Sequence, residues 1–198
     1  MKSTRASPRA EQILEGLEQI FLGEGFRKVT IGDLVRRLRC SRQTLYQLAE
    51  TKPALVLRVL DRCLARIRRK GIEASSARHD IRERIVALVE PGVTELRGAS
   101  QSFFADVAAF PAAKRLLQRH QAVRRKEAEA LIRDGIRQGA FRRFDSRLAA
   151  EVFFAAVQRV MDPAFLAAVG LSPSDAIRQA EELLLSGLMP RTARRRRR

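Results

Sequence analysis

The residues best suited to chemistry lie between Ser41 and Lys52, a run of amide, hydroxyl and cationic side chains. Gln43 and Gln47 are four apart, so at about 100° per residue they share one face of a helix. Each amide offers a donor and an acceptor, the pair that matches the N6 and N7 edge of adenine in a major groove. Arg42, Thr44 and Tyr46 flank that face and Lys52 follows, residue types that hold phosphates. Ser41 can cap this helix and Thr30 the one before it, and helix N-terminal N–H groups favour the same anionic backbone. Leu45 is centred on the opposite side with Leu48 and Ala49 beside it, a face turned inward. The competing readings are a merely solvated glutamine face and a Tyr46 ring packed over its own helix.

Other chemistries find little support. Asp80, Glu83, Asp106, Glu127 and Glu129 show no paired spacing with a nucleophile or a Gly-rich phosphate loop, so no catalytic residue is assigned and no enzyme is expected. Cys40 and Cys63 lie far apart with no CxxC pair, which predicts reduced packing thiols. His79 and His120 are lone residues on charged helices, expected at the surface; no metal and no cofactor are assigned.

The elements that must position these residues all read as helices. Ser7-Pro8 opens a first helix whose apolar residues Ile13, Leu14, Leu17, Ile20 and Phe21 recur with helical period, stopping at Gly23 or Gly25. Thr30 with Asp33 nearly matches a capping box and opens a helix of about two turns. After Arg39-Cys40, Ser41 caps a third helix, with recognition residues at about 42–48, and Thr51 caps a fourth from Lys52 to about Lys70. Further helices are expected at about 80–97, 102–110, 111–138, 146–161, 163–170 and 173–188, with strand content close to zero. Two short helices joined by a tight turn, the second polar and basic, have the form of a helix-turn-helix.

The chain has 198 residues and a formal net charge of +17. Residues 1–70 hold 16 basic against 7 acidic side chains, residues 71–190 hold 17 against 15, and residues 191–198 hold six arginines and no acid. A basic head on a near-neutral body suits double-stranded DNA; an anionic membrane surface or a solvated face is the alternative. No apolar run approaches the roughly 18 residues of a membrane span, and the N-terminus lacks a signal peptide's apolar stretch, so a cytoplasmic protein associated with the nucleoid is expected.

On Ile13 to Phe21 with Gly25-Phe26, Thr30-Ile31-Gly32-Asp33-Leu34, Ser41-Arg42-Gln43-Thr44-Leu45-Tyr46 and Lys52-Pro53-Ala54-Leu55, residues 13–60 resemble the DNA-binding head of the TetR family of bacterial transcriptional regulators. The resemblance implies an all-α homodimer: a three-helix head, a linking helix, and a helical effector-binding and dimerisation body. Applied here it gives a DNA-binding domain at 1–52, a regulatory domain at 53–190 and an Arg-rich tail at 191–198. It implies DNA contacts at Thr30, Arg42, Gln43, Thr44, Tyr46, Gln47 and Lys52, to which Arg39 and Ser41 are added from their places at the turn. It also implies pairing of helices 146–161 and 173–188 with a second subunit, which would let two heads read a palindromic operator.

The chain departs from the family in two places. Arg39 stands where the family usually has Gly in the motif's turn, and Leu48-Ala49 replaces an aromatic pair. In the body the resemblance is one of architecture, carried by residues 135–141, 148–157 and 176–190. Eight of the ten phenylalanines lie past residue 70, and Phe103, Val107, Phe110, Phe154, Val157 and Met161 are the candidate lining of a pocket for a small, largely apolar effector. Core packing would use the same residues. A repressor released by such an effector is the reading the family favours; an effector-independent regulator or architectural DNA-binding protein is the alternative, and a helical enzyme or membrane-surface protein lies further off.

Overall fold

The structure, a computed structural model, describes residues 7–96, 98–160 and 162–189. Among these, all regular structure is helical: α1 Pro8–Glu24, α2 Ile31–Leu38, α3 Arg42–Leu48, α4 Lys52–Ser76, α5 Ile81–Leu96, α6 Gln101–Ala109, α7 Pro111–Arg137, α8 Ser146–Val160, α9 Pro163–Val169 and α10 Pro173–Leu188. The expected elements are all present, and most ends fall within one or two residues of their expected places. The exception is α4, which runs past Lys70 to Ser76. Gly71 does not stop it: a Cβ there would sit 2.5 Å from the Leu88 carbonyl oxygen, so the glycine serves close packing against α5.

The chain forms two compact units, and α4 and α7 each run from one into the other. The first comprises residues up to Arg66 together with 98–119. Its first helix is started by Ser7, whose Oγ accepts from the Ala10 N–H at 3.2 Å, and buries Ile13, Leu14, Leu17, Ile20 and Phe21. It stops at Gly25, whose φ of 82° suits glycine. Phe26 then meets Phe21, Phe103 and Phe110 edge to face at 6.0 to 6.4 Å between ring centroids. The α1–α2 turn hangs from α6 by one carboxylate: Asp106 Oδ2 accepts the N–H groups of Phe26 at 2.7 Å and Arg27 at 2.8 Å. Phe103, Val107 and Phe110 were expected in the body and belong instead to this unit, because their rings and Asp106 complete the packing around Phe26.

The second unit comprises 67–97 and residues from His120 onward. Its core includes Ile81, Ile85, Leu88, Ile132, Phe141, Phe153, Phe154, Leu166 and Ile177. Pro91 lies inside α5 and leaves its ladder one N–H short. In the turn beside it, the Leu88 carbonyl accepts from Arg124 Nη2 of α7 at 2.6 Å. His120, expected at the surface, is half-buried. Burial, then the neighbouring Arg124 and Arg68, push its pKa down to about 4. Glu181 is buried on α10, and one of its carboxyl oxygens has no hydrogen-bond partner. Burial, then Glu90 and Glu182, raise its pKa to about 7 against the pull of Arg124.

Candidate nucleic-acid interface

Local sequence sets the starts of α2 and α3, and packing holds them. Thr30 and Asp33 form a complete capping box: Thr30 Oγ1 accepts from the Asp33 N–H at 3.1 Å and Asp33 Oδ2 accepts from the Thr30 N–H at 3.1 Å. The Thr30 hydroxyl, and then its N–H, hold the Asp33 carboxyl below its usual pKa, with Arg36 and Arg37 adding to the effect. Ser41 caps α3, its Oγ accepting from the Thr44 N–H at 3.0 Å. Leu34 and Leu45 are fully buried where the two helices meet, and Leu48 is buried beside them.

Arg39 ends α2 in the left-handed conformation, φ 47° and ψ 51°, the conformation for which the family's turn uses glycine. Its carbonyl accepts from Arg9 Nη2 of α1 at 3.0 Å. Left-handed backbone costs a non-glycine residue about 1 kcal/mol. Arg39→Gly is therefore expected to stabilise the protein by somewhat under about 1 kcal/mol, the gain being reduced by glycine's greater freedom in the unfolded chain. Urea denaturation measures it, and a midpoint unchanged or lowered would show that the turn carries no such penalty.

The outward face of α3 holds the residues singled out above. Arg42, Gln43, Tyr46 and Gln47 are exposed, Tyr46 at 47%. Thr44 is half-buried, its hydroxyl 2.8 Å from that of Ser41. Ala49 is extended and half-buried at the end of α3. Thr30, Arg39 and Ser41 are exposed at the ends of α2 and α3. Lys52 is half-buried at the start of α4 and donates to the Arg27 carbonyl at 3.1 Å; burial lowers its pKa despite Asp106 nearby.

Four arginines of this unit are held in ion pairs. Buried Glu18 takes Arg66 and Arg62, Glu11 takes Arg62 at 2.6 Å, Arg37 pairs with Glu24, and Arg36 with Asp33 at 2.7 Å. Arg27, Lys28, Arg39, Arg42 and Lys52 have no carboxylate within ion-pair distance among the described residues. In the same unit Arg9, Arg58, Lys114, Arg115 and Arg119 also have none, so unpaired charge lies around α3 and the turns flanking α2 and also on α4 and the start of α7.

The six proposed effector residues are not gathered in one unit. Phe103 and Val107 are buried and Phe110 half-buried in the first unit, and Phe154 is buried against Phe153 in the second. Met161, the Val157 side chain and residues 191–198 lie outside the described residues. Two features escaped the sequence reading: the Arg9 bond to the turn, and Asp106, which has no local pattern to mark it. Among the described residues no three His, Cys, Asp or Glu side chains are placed to hold a metal ion, and no helix is long and apolar enough to cross a membrane.

Residues 77–180, just over half of the chain, match the family model described as tetracyclin repressor-like, C-terminal domain. No curated protein matches the chain. A transcriptional regulator from Saccharomonospora viridis, solved in complex with choline, is similar with a TM-score of 0.75 at 22% identity, covering 94% of this chain and 100% of its own. A TetR-family regulator from Cytophaga hutchinsonii has a TM-score of 0.73 at 16% identity over 97% of this chain and 100% of its own. One from Haloarcula marismortui gives 0.73 at 18% identity over 93% and 100%. These structures share the fold, and the family model supplies the membership: the chain belongs to the TetR family of transcriptional regulators.

Proposed function

We propose that the protein is a site-specific regulator that reads a palindromic operator as a homodimer, with Gln43 and Gln47 contacting bases and Thr30, Arg39, Ser41, Arg42, Thr44, Tyr46 and Lys52 holding the phosphate backbone. The observation that carries this reading is the exposed outer face of α3, with Arg42, Gln43, Tyr46 and Gln47 on it and Leu45 buried behind. Pairing through α8 and α10 is supported by apolar side chains left in solvent there, Leu148 63%, Val152 57% and Leu183 76% exposed. They line a groove of about 480 Å³ with Phe144, Phe153 and Leu184. Surface of this kind is normally covered by a partner.

Repression relieved by a small molecule is the regulatory sense proposed. The neighbour solved with choline holds a small ligand, and in the second unit of this chain buried Glu181 keeps an unpartnered carboxyl oxygen that a ligand could satisfy. Fluorescence anisotropy against the DNA upstream of the protein's own coding region, with a scrambled duplex as control, tests the DNA-binding reading. A preference of at least about a hundredfold, lost in Gln43→Ala/Gln47→Ala, is expected. Equal and strongly salt-dependent binding to both duplexes would leave charge alone at work and favour the architectural alternative.

A further inference from the structure

The first unit contains a cavity of about 310 Å³ that neither DNA reading nor the body explains. Its lining comes from three elements: Phe26 and Arg27 of the α1–α2 turn, Lys52, Pro53 and Val56 of the first turns of α4, and Asp106, Ala109 and Phe110 at the end of α6. The volume falls at the lower end of small-molecule sites, whose usual form is an apolar chamber with a few placed polar groups. This one has that form: Phe26, Pro53, Val56 and Phe110 are the walls, and three charged side chains stand among them.

Those charges are not balanced. Asp106 Oδ2 is already occupied by the Phe26 and Arg27 N–H groups. The Lys52 ammonium, which has three protons to donate, donates one to the neutral Arg27 carbonyl at 3.1 Å. Arg27 has no carboxylate partner. The lining thus carries two cationic residues, Arg27 and Lys52, and one anionic one, Asp106, which is near Lys52 and has Oδ2 engaged by the backbone. An anion with an apolar body would complete what the walls and the ammonium leave unfinished, and Lys52, held here by a single neutral acceptor, gains a charged one.

We propose that this cavity binds small amphipathic carboxylates, the headgroup held by Lys52 and Arg27 and the chain lying against Phe26, Val56 and Phe110. Lys52 belongs both to this site and to the phosphate contacts proposed above, so a carboxylate seated here competes with DNA for the same ammonium. The site therefore acts on DNA binding from inside the head and is separate from any effector of the second unit. It rests on the DNA-binding reading only for that competition; the binding itself stands on the cavity.

Isothermal titration of the full-length protein with octanoate and, separately, 1-octanol tests the proposal. Octanoate is expected to bind at least tenfold more tightly than octanol. Lys52→Met should remove that difference, and Ala109→Trp, which places an indole at the cavity wall from an exposed position, should weaken both ligands at least tenfold. Amide resonances of Phe26 and Arg27 should shift on addition of octanoate. Equal affinity for the two ligands, or octanoate binding unaltered in both variants, overturns the proposal. Operator affinity of the unliganded protein is measured in parallel: its absence would count against the DNA reading alone, while octanoate binding with the stated dependence on residues 52 and 109 would still stand.

Discussion

Between pH 4.5 and 6.5, Glu181→Gln is expected to gain stability relative to the unaltered protein as pH rises, and His120→Gln to lose it. The signs follow from the two folded-state pKa values. Glu181 goes from an ordinary 4.5 up to about 7 because it is buried and sits near Glu90 and Glu182, so the folded state keeps a proton the unfolded state gives up. Stability from this group is present at low pH and lost as pH rises through the window. His120 goes from 6.5 down to about 4 through burial and the adjacent Arg124 and Arg68, so the folded state refuses a proton that the unfolded state takes. Its contribution is lost as pH falls. Folding in this range transfers one proton from His120 to Glu181, and the two slopes nearly cancel in the unaltered protein. Each variant exposes the other's slope, worth at most about 3 kcal/mol across the window at 1.36 kcal/mol per unit. The His120 side is smaller, because that ring is only half-buried and solvent screens it. Chemical denaturation at several pH values measures this, and parallel curves for all three proteins would refute it.

The second large effect is expected at Asp106. Asp106→Ala removes the acceptor of two backbone N–H groups at once and leaves that of Phe26, which is partly buried, without a partner. Hydrogen bonds to a charged acceptor contribute about 1.5–3 kcal/mol each, and the Arg27 N–H, being exposed, recovers part of its loss from water. A net cost of about 3 kcal/mol follows, lowering the melting temperature by roughly 6–12 °C. Asp106→Asn keeps an acceptor oxygen and loses the charge, so it should fall between the two. A thermal melt in which Asp106→Ala matches the unaltered protein would show that the turn holds itself without α6.

The parts legible in the sequence were those decided within a few residues. The caps at Ser7, Thr30 and Ser41 act over three positions, and the inward side of α3 follows from helical period around Leu45. The left-handed turn at Arg39 could be anticipated only through the glycine the family places there. What was not legible depends on residues far apart in the chain. Asp106 reaches back 80 positions to Phe26, and Arg124 reaches 36 to Leu88, distances at which periodicity carries no signal. The same blindness assigned Phe103 and Phe110 to the body, since nothing local shows that Phe26 is their neighbour. The end of α4 was placed near Lys70 and lies at Ser76, and the glycine that follows Lys70 serves close packing against Leu88, which no local pattern marks.

The guanidinium of Arg124 on the Leu88 carbonyl bears on how the chain is made. In helix α5 Pro91 takes one donor from the ladder, at the Ala87 carbonyl, and the next carbonyl, that of Leu88, takes an added donor from a guanidinium 36 residues nearer the C-terminus. As the chain leaves the ribosome, α5 emerges before its external donor does, and its final bonding waits on the synthesis of α7. By then every residue of the first unit, up to Arg119, has already been made.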